Sequence, residues 1–472
     1  MSEQLSEQAS GQAAGGHASL TAASGGRRAT RTEVLLRPRG GQGREQGGGQ
    51  GGGHGGGQGG EQGARVTFFE LFFDLVFVFA ITQLSHRLLE HLTVRGAAET
   101  LLLLLAVWWA WMYTCWTTNW FDPDHPAVRL MLVAVMLAGL FMAAMLPGAF
   151  ADKGLWFAAA YTGIQVGRTT FVVVCTRGHE LGRNFQRILF WLALSAALWI
   201  GGAFVDDPGA RAGLWLTAVA LEYLAPWHGY ATPLLGRSST ADWTIDGGHM
   251  AERSQLFIII ALGESVLVTG ATLGGRTPSA AVAAGFVAAF AGTVALWWIY
   301  FDHTAEAAAE RIAGSADPGR LGRSAYTFIH ILMVAGIIVG AVADELVMAH
   351  PGGHVSRAFA AVALGGPALF VAGHALFKRA VFGHFTRARA AALLVLAALA
   401  GLAPVLTPLA LHGCAAAVVV VLALWDVRAY RLAHRDAARV PLPGQVAGQL
   451  PGHAAPSGTF ADPPGEERAT GR

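Results

Sequence analysis

Glu70, Asp74, Arg168, Glu222 and Glu264 are ionisable residues set inside long apolar runs. At the centre of a bilayer each such group costs about 2.5 to 3.5 kcal/mol on insertion scales, so each is expected to face protein and to have a partner. Glu70 and Asp74 are four residues apart in Phe68-Phe69-Glu70-Leu71-Phe72-Phe73-Asp74, a spacing that puts both on one face of a helix. Two neighbouring carboxylates repel, which favours a shared proton or a bound cation, the requirement of an ion-coupled site. The other reading of Glu70, a few residues into its helix, is an interfacial acid that complements the positive helix N-terminus.

Arg168 keeps its charge under all conditions and must have an anionic neighbour, with Asp74, Glu222 and Glu264 as the candidates. Aimed at a cavity it fits an anionic substrate; paired, it sets helix register. Glu264 stands in Ala261-Leu262-Gly263-Glu264-Ser265, where the missing side chain at Gly263 allows close backbone approach. Glu222, beside Tyr223 and ahead of Pro226, reads as nearer the membrane surface. His86 is a candidate proton relay or a solvated interfacial histidine, and Trp108 and Trp109 are cavity-lining or packing residues. His330 and His374 are expected to be hydrogen-bonded within the protein.

The elements that position these residues follow from composition. Hydrophobic residues make up 53% of the 472-residue chain and charged ones 14%, too few to cover a soluble protein of this size. A net charge of +2 gives no basis for a nucleic-acid partner. Apolar runs near 67–86, 98–118, 127–147, 154–176, 187–205, 211–228, 254–273, 280–301, 324–347, 357–377, 388–407 and 409–429 have the length a helix needs to cross about 30 Å of hydrocarbon. The fold class is therefore an all-α polytopic membrane protein of about twelve transmembrane helices. Residues 1–65, rich in Gly, Gln and Arg, and 432–472, rich in Pro, read as disordered tails around the 66–431 bundle.

Lys and Arg collect in alternate connections, for example Arg177, Arg183 and Arg187, and again Lys378, Arg379, Arg387 and Arg389. The positive-inside rule then places both termini in the cytoplasm and the bundle in the cell membrane. The acidic connection from Asp122 to His125 runs against this pattern. Two six-helix repeats, 66–250 and 251–431, are a further expectation: Trp108-Trp109 and Trp297-Trp298 are offset by about 189 residues, which brings Asp74 within one position of Glu264. Cys115, Cys175 and Cys414 show neither disulfide nor zinc spacing, and no metal or cofactor motif is present.

The run VTFFELFFDLVFVFAITQLSH from Val66 to His86, with Glu252-Arg253 leading to the Ala261 to Ser265 segment and the Trp-Trp and Phe-Asp elements, resembles the bacterial low temperature requirement protein A family. The resemblance spans roughly Val66 to Arg431 and implies a multi-pass bacterial membrane protein, with Glu70, Asp74, Glu252, Arg253, Gly263 and Glu264 at motif positions. It supplies no molecular activity, and the long Gly/Gln-rich amino tail departs from it.

Two functions fit. One is an ion-coupled secondary transporter of a small solute or ion, in which Asp74 and Glu264 handle protons or cations. The other is a non-transporting membrane protein for cold or stress adaptation that acts on membrane lipids, although no HExxH, GxSxG or phosphate-binding glycine loop is present. Membrane lipids are partners in either case.

Overall fold

A computed structural model describes residues 35–37, 66–238, 246–277, 279–302, 304–315 and 317–437. Apart from Leu35 to Arg37 and the end of the last helix, the expected tails lie outside the described residues. The described residues are helical, with isolated bridges Leu36 to Phe121 and Thr232 to Gly236 as the β pairings.

The chain divides into two compact units, Met1–Ile260 with Ala309–Ile331, and Ala261–Ala308 with Leu332–Arg472. The first holds α1 (Phe68–Glu90), α2 (Val94–Trp120), α3 (Pro126–Met145), α4 (Gly154–Cys175), α5 (Glu180–Ala203) and α6 (Pro208–Leu224), and the first half of α7 (Gly247–Gly274). Within it α1 packs on α2 and α3, α4 on α3 and α5, and α5 on α6. The short α10 (Pro318–Gly322) and a π-helical segment, Arg323–Ile329, complete this unit. The second holds the rest of α7 with α8 (Ala280–Phe301), α11 (His330–Ala349) from Leu332 onward, α12 (Arg357–Phe382), α13 (Arg387–Leu402) and α14 (Pro408–Ala437). Here α14 packs along α8 and against α12 and α13. A short helix, α9 (Thr304–Ala313), bears Glu306 and Arg311 in its first and last turns, matching the helix dipole, and is too polar to have stood out as an apolar run.

Helix starts follow local chemistry. Thr67 caps α1 in a reciprocal box with Glu70, Thr93 caps α2, and Asp207 caps α6 ahead of Pro208 at the first helical position. Every apolar run identified in the sequence falls on one of these helices. Among the described residues ten helices are long and apolar enough to cross a membrane, fewer than the twelve expected. The exceptions have physical causes: α4 carries Gln165, Arg168, Thr169 and Thr170 in its middle, and α6 has 17 residues, spanning about 25 Å. Leu130, Leu137, Leu267, Leu394 and Leu424 lie exposed on these helices, surface that suits hydrocarbon rather than water.

No internal repeat is detected. The tryptophan pairs that suggested one occupy different surroundings: Trp108 and Trp109 are each 1% exposed, whereas Trp297 and Trp298 are 44% and 42% exposed.

Candidate functional site

Helix α1 presents two faces. Phe68, Phe72, Leu75 and Phe79 point outward, while Glu70, Phe73, Asp74 and Phe77 are buried. The spacing therefore does put both carboxylates on one protein-facing side, where Arg253 of α7 lies across both. Its Nη1 donates to Glu70 Oε1 at 3.1 Å and its Nη2 to Asp74 Oδ1 at 2.5 Å. The guanidinium also lies over the Phe73 ring, 5.5 Å from its centre, and all three charged side chains are fully buried.

Glu70 is saturated. Oε1 also accepts from His249 Nε2 at 2.9 Å, and Oε2 accepts from Arg37 at 2.9 Å and from the Thr67 backbone N–H at 3.0 Å. Glu70 completes the α1 capping box, as expected of an acid at the helix N-terminus, and also joins a buried ion network. His249 Nδ1 lies 3.2 Å from the Asn119 amide nitrogen, so the ring donates from Nε2 to Glu70 and accepts at Nδ1 as a neutral imidazole. Asn119 in turn exchanges hydrogen bonds of 2.9 Å with the Asp246 backbone, and Glu252 accepts from the Val66 backbone N–H at 3.0 Å, tying the start of α7 to α2 and α1.

Asp74 differs from Glu70. Oδ1 accepts from Trp111 Nε1 at 2.7 Å and from Arg253, whereas Oδ2 is buried without a hydrogen-bond partner, as is Arg253 Nε. Two carboxylates face two guanidiniums, so the network is neutral with Asp74 ionised and carries one positive charge once Asp74 takes a proton. Because Oδ2 is free to receive that proton, Asp74 is the group in this cluster that can change charge without first losing a donor.

Arg168 is not the counter-ion of these acids. Its guanidinium donates to Ala110 O at 3.2 Å, Thr114 Oγ1 at 3.1 Å and Gln165 Oε1 at 2.6 Å, and it lies over the Tyr113 ring. No carboxylate is in ion-pair range of it among the described residues. The expected anionic neighbour is replaced by a relay in which Gln165 donates to Tyr161 at 3.1 Å and Tyr161 donates to Glu222. Glu222, far from surface-exposed, is buried and also accepts from Ser195 at 2.5 Å and Trp199 at 3.2 Å. This polar chain locks α2, α4, α5 and α6 in register.

Trp108 and Trp109 part company. Trp108 Nε1 donates to the Thr327 carbonyl at 2.7 Å. Trp109 stacks on Tyr223, its centroid 4.1 Å away, and lines a cavity of about 620 Å³, mouth included. Tyr113, Trp116, Tyr230, Arg323 and Phe328 also face this cavity, and Trp109 Nε1 is buried without a partner. The Tyr113 and Tyr230 hydroxyls are bonded to each other, and burial pushes the phenol of Tyr230, in the loop after α6, above its usual range. His86 is exposed. Glu264 is buried in the second unit with no ion pair among the described residues, and Gly263 beside it meets open space rather than a packed backbone. His330 and His374 are hydrogen-bonded, to Ala325 O and from Arg389 respectively.

Arg253 as the partner of the acids, with His249, Trp111, Asn119 and Arg37 around them, is not evident from residue type and spacing. The Glu252-Arg253 pair offered a signal through its place in the family motif. His249 and Arg253 were hidden because the apolar window of α7 opens at residue 254, whereas the helix starts at Gly247.

The family model for the bacterial low temperature requirement A protein, LtrA, matches residues 65–424. An uncharacterized protein of Rhizobium meliloti (strain 1021) is 36% identical over 365 residues, which is 77% of this chain and 89% of that one. No solved structure matches.

Proposed function

The chain belongs to the bacterial low temperature requirement A family of multi-span membrane proteins, and from that premise we propose that it is a proton-coupled secondary transporter of the cell membrane. The observation that carries this reading is Asp74, a fully buried carboxylate with one oxygen held by Trp111 and Arg253 and the other unpartnered. Proton uptake at Oδ2 weakens the ion pair to Arg253, whose remaining charge partner is Glu70. Ion pairs of this kind are costly in a membrane, and their usual work there is to line ion and proton pathways.

The solute site in this reading is the aromatic cavity. Helix α2 links the two: Trp111 holds Asp74, while Trp109 and Tyr113, on the same helix, line the cavity. Stacking faces, one cationic group at Arg323 and a partnerless indole N–H suit a flat, amphipathic anion such as an aromatic carboxylate. In the cell, all twelve long helices span the membrane, with α4 and α6 sheltered by their neighbours and both termini cytoplasmic.

The test is uptake into proteoliposomes of labelled aromatic carboxylates, with sugars and aliphatic amino acids alongside, under an imposed proton gradient. The proposal requires uptake of at least one aromatic acid that a protonophore collapses and that Trp109→Ala removes. Uptake of none of the panel in sealed vesicles, or uptake indifferent to the gradient, overturns it.

A further inference from the structure

The second unit holds a cavity of about 460 Å³, mouth included, that the site above does not use. Its polar lining converges from separate helices: Ser265 of α7, Thr293 of α8, Asp344 of α11 and His412 of α14. Asp344 and His412 are each 7% exposed. His412 Nε2 lies 3.2 Å from Asp344 Oδ1, but out of hydrogen-bond geometry, and neither nitrogen of this buried ring has a hydrogen-bond partner.

Helix α12 adds a fifth oxygen. Pro367 sits inside it and has no N–H to give to the carbonyl of Ala363 one turn earlier, and both residues line the cavity. A carboxylate, two hydroxyls and a released helix carbonyl are hard oxygen donors, the set that hard cations select and that broken membrane helices use for monovalent ions.

We propose that this cavity binds one alkali cation, with Asp344 as its anionic ligand. Charge balance selects the valence: with His412 neutral the cavity carries one negative charge, which a monovalent cation cancels and a divalent one would overshoot inside a membrane. Among the described residues no group of three His, Cys, Asp or Glu side chains converges to hold a transition metal. Asp344 and His412 are the titratable groups lining the cavity, since α7, α8 and α12 contribute only Ser265, Thr293 and backbone. A proton on Asp344, which cancels the cavity's one negative charge, therefore competes with the cation.

The experiment is thermal unfolding of the full-length protein in detergent, titrated with NaCl, KCl or LiCl against choline chloride at equal ionic strength. At least one alkali chloride raises the unfolding midpoint saturably above choline, and less so at pH 5 than at pH 8. Asp344→Asn abolishes this increment, while the neighbouring Glu345→Gln keeps it. If Asp344→Asn does not fold, Thr293→Val and Ser265→Ala decide: each raises the half-saturating cation concentration several-fold. Equal midpoints in alkali and choline salts, an increment that survives Asp344→Asn, or unchanged half-saturation in both hydroxyl variants overturns the proposal. Asp74→Asn retains the cation response, so failure here and failure of the transport reading are separate results.

Discussion

Replacing Arg253 with methionine removes the one group that bonds both Glu70 and Asp74 while roughly keeping its volume. Glu70 keeps Arg37, His249 and Thr67, whereas Asp74 keeps only the Trp111 indole, so a net negative charge is left buried on Asp74. Breaking a buried pair by deleting one partner costs about 3 to 5 kcal/mol, and that is the loss expected for Arg253→Met. The diagnostic variant is the double mutant with Asp74→Asn. Asparagine still accepts the Trp111 N–H and removes the stranded charge, so the double mutant regains about 0.5 to 3 kcal/mol, the range of coupling between residues in contact. In the wild-type background the same Asp74→Asn change strips Arg253 of a charge partner and is destabilising. Equilibrium unfolding in mixed micelles, followed by tryptophan fluorescence, measures all four proteins. A loss below about 1 kcal/mol for Arg253→Met, or an Asp74→Asn effect of the same sign and size in both backgrounds, refutes the network described here.

Three further outcomes follow from the geometry. Arg37→Ala removes a charge-assisted bond to Glu70 and costs about 1.5 to 3 kcal/mol in the same unfolding assay, an unexpected sensitivity for a residue in a Gly-rich tail. Gly336→Ala lowers the unfolding midpoint by an amount equivalent to about 1 to 3 kcal/mol, because its Cβ would lie 2.6 Å from the Phe370 backbone nitrogen, whereas Gly263→Ala, which meets open space, is neutral or stabilising. Tyr161→Phe leaves Glu222 short of a donor and costs about 1 to 3 kcal/mol, yet proton flux in reconstituted vesicles stays at the wild-type rate, since that polar chain fixes helix register.

Hydrophobic run length placed the helices, because hydrocarbon thickness leaves little choice of length, and it located the acids that would be costly in lipid. It did not reveal who pairs with whom. Arg168 looked like the natural counter-ion because it was the arginine deepest in an apolar run, but a guanidinium is also satisfied by neutral acceptors, here Ala110, Thr114 and Gln165. Arg253 is seven residues into α7, in a polar stretch that an apolar window discards. The same averaging hid Leu35 to Arg37. Composition marked this tail as unable to form a core, but Arg37 N–H bonds to Trp120 O at 2.9 Å, Leu35 is buried and the Arg37 guanidinium reaches Glu70. Asp344 and His412 are 68 positions apart in sequence, and no local spacing announces their meeting.

The most direct test of the central claim is the internal pH of sealed proteoliposomes under an imposed proton gradient, wild type against Asp74→Asn, with insertion of both proteins verified. If Asp74 carries the proton, the wild type dissipates the gradient when a transported aromatic carboxylate is supplied and Asp74→Asn does not. Equal proton flux in the two proteins would contradict the account.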